Sequence, residues 1–245
     1  NGGSFSYALA FTSGVNGGGL QQWTLTPTAV PAAPDAWWKG DLTGIATGVW
    51  SATTVSGTGA PSNWDTDQSS GIDAQVPPDS GSIVHFAATG AANFNTTLGA
   101  NMTIQSLVFH TAAPAVSVGS SNGVNTLTLG NTVDSSGILI ETGAGNVDFS
   151  AIINLAMTQS WNIEDTARVL TVAGGLTGAF NLTVNDTAVN GGTLRFTGSA
   201  ASLAGTLAMN AGSLLFEGTG SLATSTNVTL GTAAKNAVLF VCGAG

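Results

Sequence analysis

The sequence predicts an all-β chain wound as a parallel β-solenoid, with a Trp-rich region capping its N-terminal side. Three observations predict this. Only 7% of the 245 residues are charged, whereas 34 are Gly, and this balance disfavours helices. Short apolar–polar alternations recur along the chain, bounded by turn residues. Near the C-terminus a segment repeats after 20 residues, a period suited to coils built of strands alone.

The composition shifts once. Residues 1–80 hold five of the six Trp, six of the seven Pro and the only Tyr, and are read as strands plus a Trp-rich cap and assembly region. Phe5 to Phe11 and Gln22 to Thr26 alternate as strands should. Residues 81–245 are read as β-helix coils. Strand-like runs include Thr103 to Phe109, Thr126 to Gly130, Gly137 to Glu141, Arg168 to Val172 and Phe180 to Val184. No stretch sustains a helical period.

The repeat fixes a register. Gly192-Thr193-Leu194-Arg195-Phe196-Thr197-Gly198 returns as Gly212-Ser213-Leu214-Leu215-Phe216-Glu217-Gly218. Leu194 is therefore expected to stack on Leu214, and Phe196 on Phe216, inside the rod. The low charge then has a cause. Copies in successive coils lie about 4.8 Å apart, so a charge would face its like-charged copy. Thr, Ser and Asn avoid this, and Gly permits sharp corners. At about 20 residues per coil, residues 81 to 241 give roughly eight coils and a rod of about 40 Å.

The order of motifs carries a resemblance. It runs through Trp37-Trp38-Lys39-Gly40, Gly48-Val49-Trp50-Ser51, Asn63-Trp64 and Val76-Pro77-Pro78-Asp79-Ser80-Gly81-Ser82-Ile83-Val84-His85-Phe86. It continues with Thr97 to Ile104, Ser106 to Phe109, Leu127 to Gly130, Gln159 to Ile163, Leu170 to Gly174 and Asn190 to Phe196. Over roughly residues 37 to 231 the chain resembles the autotransporter-associated β-strand repeat family of large bacterial surface and secreted proteins. That resemblance implies a right-handed parallel β-helix, export, and an extracellular or cell-surface location, with no defined enzymatic activity. No outer-membrane β-barrel segment accompanies it. The family's Gly-Leu-Thr-Lys segment occurs only loosely, as Gly175-Leu176-Thr177-Gly178.

Charge and motifs exclude several functions. The net charge is −9 and only four Lys and Arg are present, too few for a surface that neutralises phosphates, so nucleic acid is not an expected partner. No apolar run approaches the ~20 residues of a membrane helix. The chain opens Asn1-Gly2-Gly3-Ser4, without a basic n-region or apolar h-region, so export implies a removed signal or an internal fragment. Cys242 is the single cysteine, which rules out an internal disulfide. A pectin-lyase-like site would need Arg or Lys within an acidic cluster. Lys39, Arg168, Arg195 and Lys235 are scattered, and Glu164-Asp165 reads as a turn after the Trp161 strand. No nucleophile elbow, phosphate loop or zinc spacing is present, and the chain is not expected to be an enzyme. His85 and His110 lack a motif partner and read as structural or surface residues.

Three sets of candidate residues remain. Asp65, Asp67, Ser69 and Asp73 place oxygens at alternate positions, as calcium loops do. Ser70 stands where such loops carry Gly and Val76 where they carry Glu, so a solvated acidic turn fits better. Calcium bound there would be structural, and no other cofactor is expected. Trp37, Trp38, Trp50 and Trp64 form either a sugar-stacking platform or, the better fit, a cap core over the first coil. Phe5, Tyr7 and Leu9 at one end, and Val238 and Phe240 in the uncapped run Ala237 to Cys242 at the other, are candidate assembly contacts. Five Asn-x-Ser/Thr sequons, at Asn95, Asn101, Asn181, Asn185 and Asn227, arise readily in so Asn- and Thr-rich a chain.

The expected function is therefore structural: an exported bacterial β-helix whose subunits stack into a surface fibre, filament or matrix by self-association. The alternative is an adhesin passenger that binds glycans or host surfaces through its Trp-rich region.

Overall fold

Alternation along each run sends its Val, Leu, Ile or Phe to one side and its Thr, Ser or Asn to the other. In the computed structural model these runs form stacked parallel sheets around a single apolar interior. The structure describes residues 5–11, 23–29, 35–42, 48–53, 61–69, 71–87, 89–130, 136–185, 190–200, 202–222, 226–232 and 235–242.

Three sheets make the walls. The first has nine strands, running from Asp35–Trp38 and Ile83–Phe86 through Ser106–Phe109, Ser136–Ile140, Gln159–Ile163, Leu182–Val184 and Thr206–Met209 to Asn227–Leu230, with Trp64–Asp65 antiparallel at its outer edge. The second has seven, from Asn95–Thr97 to Ala237–Val241, and the third has five, from Met102–Ile104 to Ser202–Leu203. Each coil visits the third, first and second sheets in turn, which makes a β-solenoid of about 6 turns. Among the described residues there is no helix, and so none able to cross a membrane.

The interior is a set of ladders. One climbs Ala36, Val84, Leu107, Ile138, Trp161, Val184 and Met209, all buried. Another climbs Val118, Phe149, Val172, Phe196 and Phe216. Full burial of each such side chain contributes about 1.5–3 kcal/mol. Leu194 lies on Leu214 and Phe196 on Phe216, the register that the repeat predicts.

The coil count corrects one expectation. Leu194 and Leu214 are 20 residues apart, but Leu170 meets Leu194 after 24 and Leu107 meets Ile138 after 31. Strand length is nearly constant, and the corners absorb the difference. About six coils thus replace the expected eight, and the rod shortens to about 30 Å. The run Thr103 to Phe109 is likewise two strands, Met102–Ile104 and Ser106–Phe109, on different walls with Gln105 between them. Gly212 shows why corners need glycine. Its φ is +83°, and a Cβ there would collide with the carbonyl oxygens of Gly191 and Gly192 in the preceding coil.

Polar side chains stitch coil to coil. The side-chain oxygens of Asn101, Asn146 and Asn181 accept the backbone N–H of Thr126, Val169 and Thr206, one coil on, at 2.9, 3.1 and 2.9 Å. Asn185 is fully buried. Its amide donates to the carbonyls of Ala211 and Gly192, and its oxygen accepts Ile163 N–H. The Asn185 sequon is therefore closed to a glycan in the folded chain.

On the N-terminal side, Phe5–Phe11 and Trp23–Ala29 pair with each other as an antiparallel two-stranded sheet. The strand Asp35–Trp38 instead joins the first wall, parallel to Ile83–Phe86.

Candidate functional site

The Trp-rich segment resolves into a core and one outlying ring. Trp38, Trp50 and Trp64 are buried and meet edge-to-face, Trp38–Trp64 at 4.9 Å and Trp50–Trp64 at 5.2 Å between centroids. Each indole N–H has a buried acceptor. Trp38 donates to Ala92 O, Trp50 to Thr96 Oγ1 and Trp64 to Trp50 O, all at 2.9 Å. These three rings close the apolar interior over Phe86, and none is open to a sugar. Of the four candidate platform residues, only Trp37 remains partly exposed.

Trp37 borders a concavity of about 490 Å³ that also draws on Lys39, Asp65, Asp67, Gln68 and Ser69. Two sets that the sequence presents separately, the Trp pairs and the acidic run, thus line one recess. Its floor is an ion pair. Lys39 Nζ donates to Asp65 Oδ2 at 2.8 Å, and that hydrogen bond holds the ammonium above its ordinary range against the opposing effect of burial.

The acidic run does not converge on a cation. Asp65 faces Lys39. Asp73 accepts the Ser62 N–H, the Ser62 hydroxyl and the Gln75 N–H. Asp67 accepts the Ser69 N–H and hydroxyl within its own turn. Ser70, the sixth loop position, lies outside the described residues. Among the described residues no three His, Cys, Asp or Glu side chains gather as metal ligands. Alternating oxygens in sequence are drawn to different backbone donors here, which is what an acidic turn does.

A polar chain lies behind Trp37. The indole stacks on His85 at 4.2 Å and on His110 at 5.0 Å, both within 12° of parallel. His85 Nδ1 is 3.0 Å from His110 Nε2. The outer nitrogens face carboxylates, His85 Nε2 to Asp35 Oδ1 at 3.1 Å and His110 Nδ1 to Glu141 Oε1 at 3.0 Å. Burial pushes the His85 imidazole below its ordinary value, outweighing the Asp35 hydrogen bond. Burial would raise the Glu141 carboxyl. The Thr111 N–H and hydroxyl, with His110, outweigh it and hold the group below its ordinary value. The sequence reading gave these histidines no partner. The missed signal is the register of Phe86 on Phe109, which puts His85 and His110 on the same outer face one diagonal step apart.

At the other end the ladders run out. Leu230 lies on Met209 and Val241 on Phe216, with Val228 and Leu239 beside them in the same inward phase. All four are exposed, between 37% and 69%, although the residues beneath are buried. Val238 and Phe240 are exposed too, but they align with Ser213 and Leu215 on the outer face. The open core is thus presented by their neighbours, because one residue along a strand changes the face. The side chains of Phe5, Tyr7 and Leu9 lie outside the described residues.

Comparison of the chain with protein-family models, with curated proteins and with solved structures found no match.

Proposed function

We propose that the chain is a non-catalytic structural β-solenoid that lengthens by stacking, building an extracellular bacterial fibre, filament or matrix. The observation that carries this reading is the open last coil. Val228, Leu230, Leu239 and Val241 continue buried ladders yet face solvent, and the strands Asn227–Leu230 and Ala237–Val241 are the terminal members of their sheets. An exposed coil face with free backbone groups is a template for another β-coil. In this reading a second copy supplies that coil. A head-to-tail contact of this kind does not close on itself, so it yields a filament. The resemblance to the autotransporter-associated repeat family supports the exported setting. Sedimentation velocity of the 245-residue chain tests the reading: association that grows with concentration and is lost in Leu239→Asp/Val241→Asp is expected.

The recess beside Trp37 favours a second reading, an adhesin that stacks a sugar ring on that indole. Its polar lining of Lys39, Asp65, Asp67, Gln68 and Ser69 suits hydroxyl recognition. Glycan-array binding lost in Trp37→Ala, with the fold retained, is the result this reading requires.

A further inference from the structure

The chain Asp35, His85, His110, Glu141 poses a proton-counting problem. Three N–H groups are needed for its three hydrogen bonds, and two neutral imidazoles carry two. If both neutral rings donate outward to their carboxylates, the lone pairs of His85 Nδ1 and His110 Nε2 confront each other at 3.0 Å. If one ring turns its proton inward instead, its carboxylate faces a lone pair. No arrangement of two protons satisfies the geometry.

We infer that these four side chains hold a third proton, seated between His85 Nδ1 and His110 Nε2, and that it makes them a pH-sensitive clasp fastening the strand Asp35–Trp38 to the solenoid.

The surroundings say where that proton sits. A divalent cation at the same point would need further ligands, and among the described residues no third His, Cys, Asp or Glu completes a set there. Asp35 is half exposed and Glu141 is held ionised by Thr111, so an imidazole is the better base than either carboxylate. Of the two rings His85 is the more buried, which disfavours charge on it. The assignment is then unique. His110 is the imidazolium and donates from Nδ1 to Glu141 and from Nε2 to His85. Neutral His85 accepts at Nδ1 and donates from Nε2 to Asp35. Trp37, lying over both rings, presents its π-face to the charged pair.

Every charged neighbour is accounted for. Asp35 belongs to the capping strand and Glu141 follows the strand Ser136–Ile140. Glu164, one coil further, accepts Thr142 N–H, and Lys39 is engaged by Asp65. The cluster thus has a net charge of −1 with three protons. A fourth proton sets N–H against N–H, and loss of the third sets lone pair against lone pair. Either change loosens the grip of Asp35 and Trp37 on the first two coils.

His85 and His110 are the only histidines in the chain, so ring ¹⁵N NMR of the ¹⁵N-histidine-labelled protein reads both without ambiguity. At pH 7, three of the four ring nitrogens are expected to be protonated, His85 Nδ1 being the exception, with no change on adding EDTA. In Glu141→Gln, whose position is half exposed, the third proton is expected to be lost while the backbone amide spectrum stays folded. Two neutral rings at pH 7, ring signals that move with EDTA, or a third proton that persists in Glu141→Gln would each overturn the inference.

Discussion

Phe196 lies flat on Phe216, with ring centroids 5.4 Å apart and planes within 12° of parallel. The two residues occupy the same place in successive copies of a 20-residue repeat, and Leu194 and Leu214 beside them do likewise. Phe196 has neighbours above and below, Val172 and Phe216. Truncating it to Ala leaves a cavity that the stacked backbone cannot close. A loss of about 3–5 kcal/mol is expected in urea unfolding. Phe216→Ala is expected to cost less, because Phe216 lies beneath the exposed Val241.

The Trp residues separate by role. Trp64→Ala removes a fully buried ring and opens the cap core, and about 3–5 kcal/mol of stability is expected to be lost. Trp37→Ala is expected to leave the thermal midpoint nearly unchanged, since the ring stacks on the outer face only. Comparing the two melting curves checks this division.

Gly212→Ala is expected to destabilise the last coils by about 2 kcal/mol or more, from the left-handed backbone and the crowding against Gly191 and Gly192. Gly90→Ala has an equally positive φ, +73°, but meets no neighbouring atoms, and should show the backbone cost alone. Chemical denaturation of the pair isolates the contact contribution.

Acid should loosen the N-terminal side first. The His85 imidazole titrates below its ordinary value of 6.5 in the folded chain. The unfolded chain therefore takes up that proton first as pH falls. Stability present above pH 6.5 is lost as pH drops through the folded value. Glu141, also held below its ordinary 4.5, adds a second loss further down. Hydrogen exchange at Ala36 to Trp38, followed from pH 7 to pH 4, should show protection falling in that order. The His85→Gln variant should lack the upper step.

Parts of this architecture are legible in the sequence because stacking leaves a direct imprint. Leu194 and Phe196 can be placed on Leu214 and Phe216 since identical spacing around a repeated Gly fixes their register. The coil length is not legible from that repeat alone. Corners such as the one between Leu107 and Ile138 vary in length without altering the strands. The open face is read one residue off, at Val238 and Phe240 rather than Leu239 and Val241. In a run as uniformly apolar as Ala237 to Val241 no polar residue marks which side faces in. The His85–His110 contact depends on a coil-to-coil register of 23 residues between Phe86 and Phe109. Nothing in the local motifs around either histidine repeats, so only the folded register reveals it.

The account rests most heavily on the last coil as a stacking face. Sedimentation velocity over a hundredfold range of concentration, with electron microscopy of the same samples, tests it most directly. The account predicts rods that lengthen with concentration, and monomers only in Leu239→Asp/Val241→Asp. Uniform monomers of the unaltered chain at every concentration would contradict it.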